Sequence, residues 1–146
     1  MELIELINPE DCLDPQILER ARASSKAPHT RHFIAKDAHS ELAFIALDLV
    51  PMVDYLVLYE LFVPDSLRGK GIGARALIDV ESFARSKGYS KVTLNPAPLV
   101  QDRSPTDLID WYKSRGYLEG DNVANELEKN IHIAASSNTT KCTNCR

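Results

Sequence analysis

The segment from Tyr55 to Val63 is apolar at every position except Glu60, and it leads through Pro64 into the stretch Arg68-Gly69-Lys70-Gly71-Ile72-Gly73. A run of this length without alternation predicts a strand covered on both faces, as in the centre of a layered α/β domain. From Gly71 to Lys87, Ala76, Leu77, Val80, Phe83 and Ala84 recur at helical spacing, and the stripe stops at Lys87-Gly88, a basic last turn with a glycine beyond it. Lys91 to Asn95 is a second strand. A strand, loop, helix, strand order predicts two parallel strands joined by a right-handed crossover.

The remainder fits around that unit. Glu2 to Ile7 is a short strand, and the acidic, proline-containing stretch Asn8 to Pro15 separates it from a helix marked by Ile17-Leu18 and Ala21 to Ala23. Arg31 to Ala35 and Glu41 to Val50 are β-rich and flank the polar cluster Lys36 to Ser40, a hairpin pattern closed by Pro51. Pro96, Pro98 and Pro105 punctuate a loop. Asp107 to Arg115 is a short helix ended by Gly116, and Tyr117 to Gly120 and Glu126 to Ile133 are closing strands. The expected fold is a mixed α/β sheet with helices on both faces over residues 1–133. Residues 134–146, rich in Ser, Asn, Thr and Lys, read as a flexible polar tail.

Composition narrows the partners. With 146 residues, one core buries roughly 70% of the unfolded surface and needs no metal or disulfide. A net charge of −4 argues against a general nucleic-acid binder, which carries a basic face, and leans toward a cationic partner. The acidic start is unlike a secretory signal, and no apolar run reaches the roughly 18 residues that span a bilayer, so a cytoplasmic protein is expected. Three cysteines close no disulfide set; Cys142 and Cys145 form half a zinc pattern without a second pair, so no metal is expected. His29, His32 and His39 read as solvated loop residues.

The glycine stretch is an anion site in physical terms. Glycines let backbone N–H groups converge on a phosphate, the helix N-terminus contributes about half a positive charge, and Arg68, Lys70 and Arg75 add full ones. A tight strand-to-helix turn with no ligand is the plain alternative. Two phosphate motifs fail on inspection. Lys70 is followed by Gly71, so the hydroxyl a P-loop places on magnesium is missing. A dinucleotide fingerprint through Gly69, Gly71 and Ala74 lacks an acid for the ribose, because the next strand ends at Asn95.

Arg68-x-x-Gly71-x-Gly73, set between an apolar strand and an amphipathic helix, resembles the acetyl-coenzyme A signature of the GNAT family of N-acetyltransferases. Trp111-Tyr112-Lys113-Ser114-Arg115-Gly116-Tyr117 is similar to that family's late aromatic-Tyr-x-x-x-Gly-aromatic segment. The resemblance implies a GNAT-like sheet splayed at its centre, acetyl-CoA as co-substrate, and an amine acceptor, either a small molecule or a protein lysine or N-terminus. It implies that the backbone of Arg68, Gly69, Lys70, Gly71, Ile72, Gly73 and Ala74 binds the pyrophosphate, while the main chain of Leu61, Phe62 and Val63 pairs with the pantetheine arm.

Tyr112 matches the tyrosine that protonates the departing thiolate, and a phenol with an ordinary pKa near 10 is a reasonable donor for it. Glu60, alone among apolar residues, is the candidate base, with burial expected to raise its pKa. Asp54 and Asp48 are weaker candidates. Two positions depart from the family pattern: Pro64 comes one residue early, and Pro105 stands where many members have asparagine. A non-catalytic acyl-CoA-binding or sensing module of the same fold is the competing expectation.

Overall fold

The computed structural model describes residues 1–98, 104–120 and 124–131. Along the chain come β1 (Glu2–Leu6), α1 (Pro15–Ala23), β2 (Thr30–Lys36), β3 (Glu41–Asp48) and β4 (Tyr55–Phe62). These are followed by α2 (Ile72–Ser86), β5 (Lys91–Leu94), α3 (Pro105–Lys113), β6 (Leu118–Glu119) and β7 (Leu127–Asn130). The strands form one sheet in the order β1-β2-β3-β4-β5-β7-β6. Every pairing is antiparallel except that of β4 with β5. The mixed α/β architecture and the parallel central pair are those expected from the sequence. The polar tail, with Cys142 and Cys145, lies outside the described residues.

β3 divides the core between two faces. Phe44 and Ala46 meet Ile17 and Ala21 of α1, together with Leu6 and Ile34. Ala43, Ile45 and Leu47 meet Ala76, Leu77, Val80 and Ala84 of α2. α3 packs on the α2 side, where a Cβ added at Gly73 would lie 3.4 Å from the Trp111 ring. A methyl group there would just reach contact with the ring, so the two helices pack closely at this point.

Two helices start earlier than expected, for the same reason. Asp14 caps α1 by accepting from the Gln16 and Ile17 N–H groups, and Ser104 caps α3 by accepting from Asp107 N–H. Each cap is followed by a proline in the first turn, where its missing N–H costs nothing. Pro15 and Pro105 therefore open helices where the sequence reading took them for breaks.

Two burial expectations are corrected. β4 is not covered on both faces throughout, since Tyr59 is 49% exposed. The reason is local: Leu58 pairs with Leu47 and Glu60 with Ala46, so Tyr59 is an extra residue bulged out of the ladder. His32 is no loop residue. It sits in β2 at 3% exposure, edge-on to Phe44. Burial pushes its imidazole below the usual range, against the smaller effect of its contact with the Ser25 carbonyl.

Candidate active site

β4 pairs with β5 only through Tyr55, Val57 and the residue between them, matched to Lys91–Thr93. Past Val57 the two strands part, and a cleft of about 380 Å³ opens between them. Its walls bring together residues 58–63, the glycine turn, the end of β5 and the inner side of α3. A volume of this size is in the range of small-molecule sites.

The floor at the α2 end is backbone. Gly69 and Gly71 take φ of +77° and +78°, and an added Cβ at either would meet nothing within 4 Å, so the glycines answer a conformational demand and the space above them is open. The first intrahelical bond runs from Arg75 N–H to the Gly71 carbonyl at 3.1 Å. The N–H groups of Ile72, Gly73 and Ala74 therefore have no acceptor within the helix, and all three residues line the cleft. With the positive end of the helix dipole, this is an anion seat.

Arg68 is committed to the turn. Its Nε donates to the Val63 carbonyl at 3.1 Å and its Nη1 lies 2.6 Å from Asp65, within a single 3₁₀ turn that follows the buried Pro64. The early proline thus starts a compact turn stapled by Arg68, so much of that guanidinium's charge is already matched. Of the residues expected to hold cofactor, Leu61, Phe62, Val63, Arg68, Gly69, Gly71, Ile72, Gly73 and Ala74 line the cleft, and Lys70 does not.

Tyr112 lies on the opposite wall, 6% exposed, edge-to-face with Trp111 at 4.9 Å and with Tyr117 at 5.7 Å. Tyr117, the second aromatic of the late motif, is not in the cleft. Its hydroxyl donates to Glu81 at 2.9 Å, and Lys129 Nζ reaches the same carboxylate at 3.1 and 3.2 Å. Burial, then the charge of Glu81, pushes the Tyr117 phenol far up, so it stays protonated and ties α2 to the turn after α3.

Glu60 also lines the cleft, at 7% exposure. The Ser24 hydroxyl donates to its Oε1, and Arg20 Nε forms an ion pair with Oε2 at 3.1 Å without an aligned hydrogen bond. Asp48 bonds Thr30 and Asp54 bonds Ser90, and neither lines the cleft. Sequence reasoning missed four contributors. Tyr59 enters the wall through its bulge, and Arg115 enters with its guanidinium 4.2 Å from the Trp111 ring centre. Arg20 and Ser24 approach Glu60 from a helix distant in sequence, with no local signal. Asn95, a candidate to stand in for the asparagine that Pro105 displaces, lines the wall as well.

The profile of the acetyltransferase (GNAT) family matches residues 2–118. The chain belongs to the GNAT family. No curated protein matches it. Among solved structures, this GNAT chain resembles the PaiA N-acetyltransferase from Thermoplasma acidophilum in complex with coenzyme A. That match has a TM-score of 0.53 and 18% identity, covering 77% of this chain and 66% of that one. It also resembles the ribosomal-protein-S18-alanine N-acetyltransferase from Escherichia coli, with a TM-score of 0.58, 18% identity, and coverage of 84% and 82%. An AtaT–AtaR complex bound to DNA contains a chain that matches with a TM-score of 0.61, 18% identity, and coverage of 90% and 95%. At these identities the likeness is one of fold, and GNAT membership rests on the profile. No helix among the described residues is long and apolar enough to cross a membrane.

Proposed function

We propose that this GNAT protein transfers the acetyl group of acetyl-CoA to a primary amine by direct attack. The reading rests chiefly on the parting of β4 from β5 beyond Val57, which leaves one strand edge open along a cleft that ends at the α2 N-terminus. The pantetheine arm lies along Leu61, Phe62 and Val63 and takes the place of the missing strand, using main-chain groups that a neighbouring strand would otherwise satisfy. The pyrophosphate sits on the N–H groups of Ile72, Gly73 and Ala74.

The acyl carbon is then held between Glu60 and Tyr112. The amine nitrogen, relieved of a proton by Glu60 directly or through water, attacks the thioester carbonyl. The carbon–sulfur bond breaks, and Tyr112 passes its proton to the departing thiolate, giving an amide and free coenzyme A. Arg20 pairs with Glu60 Oε2 and the Ser24 hydroxyl donates to Oε1, so the carboxylate is held in place, and a relayed water is the simplest route for the proton to reach it. The acceptor is a cationic amine, in keeping with the net charge of −4 and with Glu60 in the cleft wall.

The test is amine-dependent release of thiol from acetyl-CoA, using spermidine, a lysine peptide and a peptide with a free N-terminus. Release with one of them, falling about 100-fold in Glu60→Gln, is the expected result. Binding of acetyl-CoA without thiol release on any amine would favour the sensing module, and unchanged turnover in Glu60→Gln would remove the base.

A further inference from the structure

Helix α1 contributes no residue to the cleft wall, yet two of its polar side chains and that of its C-cap, Ser24, end on the segment that builds that wall. The Gln16 side chain grips Asp65 twice: its Oε1 accepts from Asp65 N–H at 2.8 Å and its Nε2 donates to Asp65 Oδ2 at 3.3 Å. Asp65 in turn holds Arg68 of the glycine turn. Arg20 pairs with Glu60, and Ser24 donates to the same carboxylate.

Residues 16 and 20 are spaced i, i+4 on α1, and Ser24, its C-cap, continues that spacing at the helix end, so the three form one line. Eight residues at helical rise span about 12 Å, and the line reaches from Glu60 in β4 to Asp65 at the start of the turn beyond the strand. Ile17 and Ala21, next to that line, anchor the helix in the core. The line falls where it is mechanically needed. Residues 58–62 have lost β5 as a neighbour, and among the described residues no strand replaces it on that edge.

We propose that Gln16, Arg20 and Ser24 are positioning residues: a single strut that fixes the donor turn and Glu60 relative to one another, so that each end of the strut is felt at the other. The proposal rests on the cleft being the acetyl-CoA site. It assigns α1 a task that no residue in contact with the donor performs. Because the two ends share a rigid element, disturbing Glu60's partners weakens donor binding, although neither Arg20 nor Ser24 touches the donor turn.

The experiment is calorimetric titration of the full-length protein with acetyl-CoA, with a thermal melt of each variant. Gln16→Ala should weaken binding about 3- to 10-fold, the equivalent of its lost hydrogen bonds. Arg20→Met should weaken it by a similar factor, and Arg20→Lys should restore most of it. The double variant should lose less than the product of the two single effects, because both act through one strut. Arg22→Ala is the control: it breaks an exposed α1 ion pair to Glu10 and should leave the affinity unchanged. Wild-type binding with unaltered affinity in Gln16→Ala and Arg20→Met, or equal weakening in Arg22→Ala, or full additivity in the double variant, would overturn the strut while leaving the acetyl-CoA site intact. Failure of the wild type to bind acetyl-CoA would overturn the site and the strut with it.

Discussion

The two halves of β4 are made of similar residues and do different work. In the first half, residues 55–57 pair with β5, Val57 also pairs with Asp48 of β3, and Leu56 is fully buried. In the second half, β3 remains but β5 has turned away, Tyr59 bulges out, and Leu61 and Phe62 are only half-buried. Apolar character alone does not separate these halves. What separates them is the presence of a neighbour for the second edge, and where the neighbour is missing the strand becomes a binding surface.

That contrast can be broken from either half. In the paired half, Leu56→Ala should cost about 2–5 kcal/mol in urea unfolding, since it empties a closed part of the core, while the folded fraction binds acetyl-CoA with unchanged affinity. In the open half, Leu61→Ala should cost less stability, because Leu61 is only partly buried, and should leave in place the main-chain groups that hold the donor. Equal stability losses at the two positions would mean that the halves do not differ as described.

Gly71→Asp attacks the end of the open half. It forces a side chain into a φ of +78° at about 1–2 kcal/mol and sets a carboxylate at an anion seat, so acetyl-CoA affinity should fall by about two orders of magnitude in the same titration. Tyr112→Phe should lower the rate of thiol release about 100-fold. Tyr117→Phe should leave the rate unchanged while losing about 1 kcal/mol of stability from the Glu81 contact. The two tyrosines touch at 5.7 Å, so opposite outcomes would separate a reacting phenol from a packing one.

Much of this was legible in the sequence, and the part that was not has a common cause. The apolar run, the glycine turn, the α2 stripe and the Trp111-Tyr112 segment depend on neighbours in the chain, so local pattern finds them. The prolines at 15 and 105 carried a start signal in Asp14 and Ser104 that was read as a break. The bulge at Tyr59, the burial of His32 and the grip of Arg20 and Ser24 on Glu60 depend on strand register and on a helix some 40 residues away in sequence. The splay itself entered through family resemblance, because nothing in β4's composition says where β5 will leave it.

The smallest effect concerns the row that runs across the sheet from His32 through Ala46 to Glu60. Burial holds the folded His32 below its ordinary value of 6.5, so the unfolded chain takes up this proton first as the solution is acidified. The stability that His32 contributes is present above about pH 6.5 and is lost as the pH falls through its depressed folded value. Melting temperatures measured from pH 7 to pH 5 should therefore decline, and the decline should flatten in His32→Phe. An identical slope in the variant would assign the acid sensitivity to other groups.

The central claim is that the edge β4 loses to the splay is the edge acetyl-CoA occupies. Amide hydrogen exchange with and without acetyl-CoA tests it directly. The account predicts new protection at residues 61–63 and 72–74 on binding, with residues 55–57 equally protected in both states. Binding that leaves 61–63 and 72–74 unprotected, or no binding at all, would contradict it.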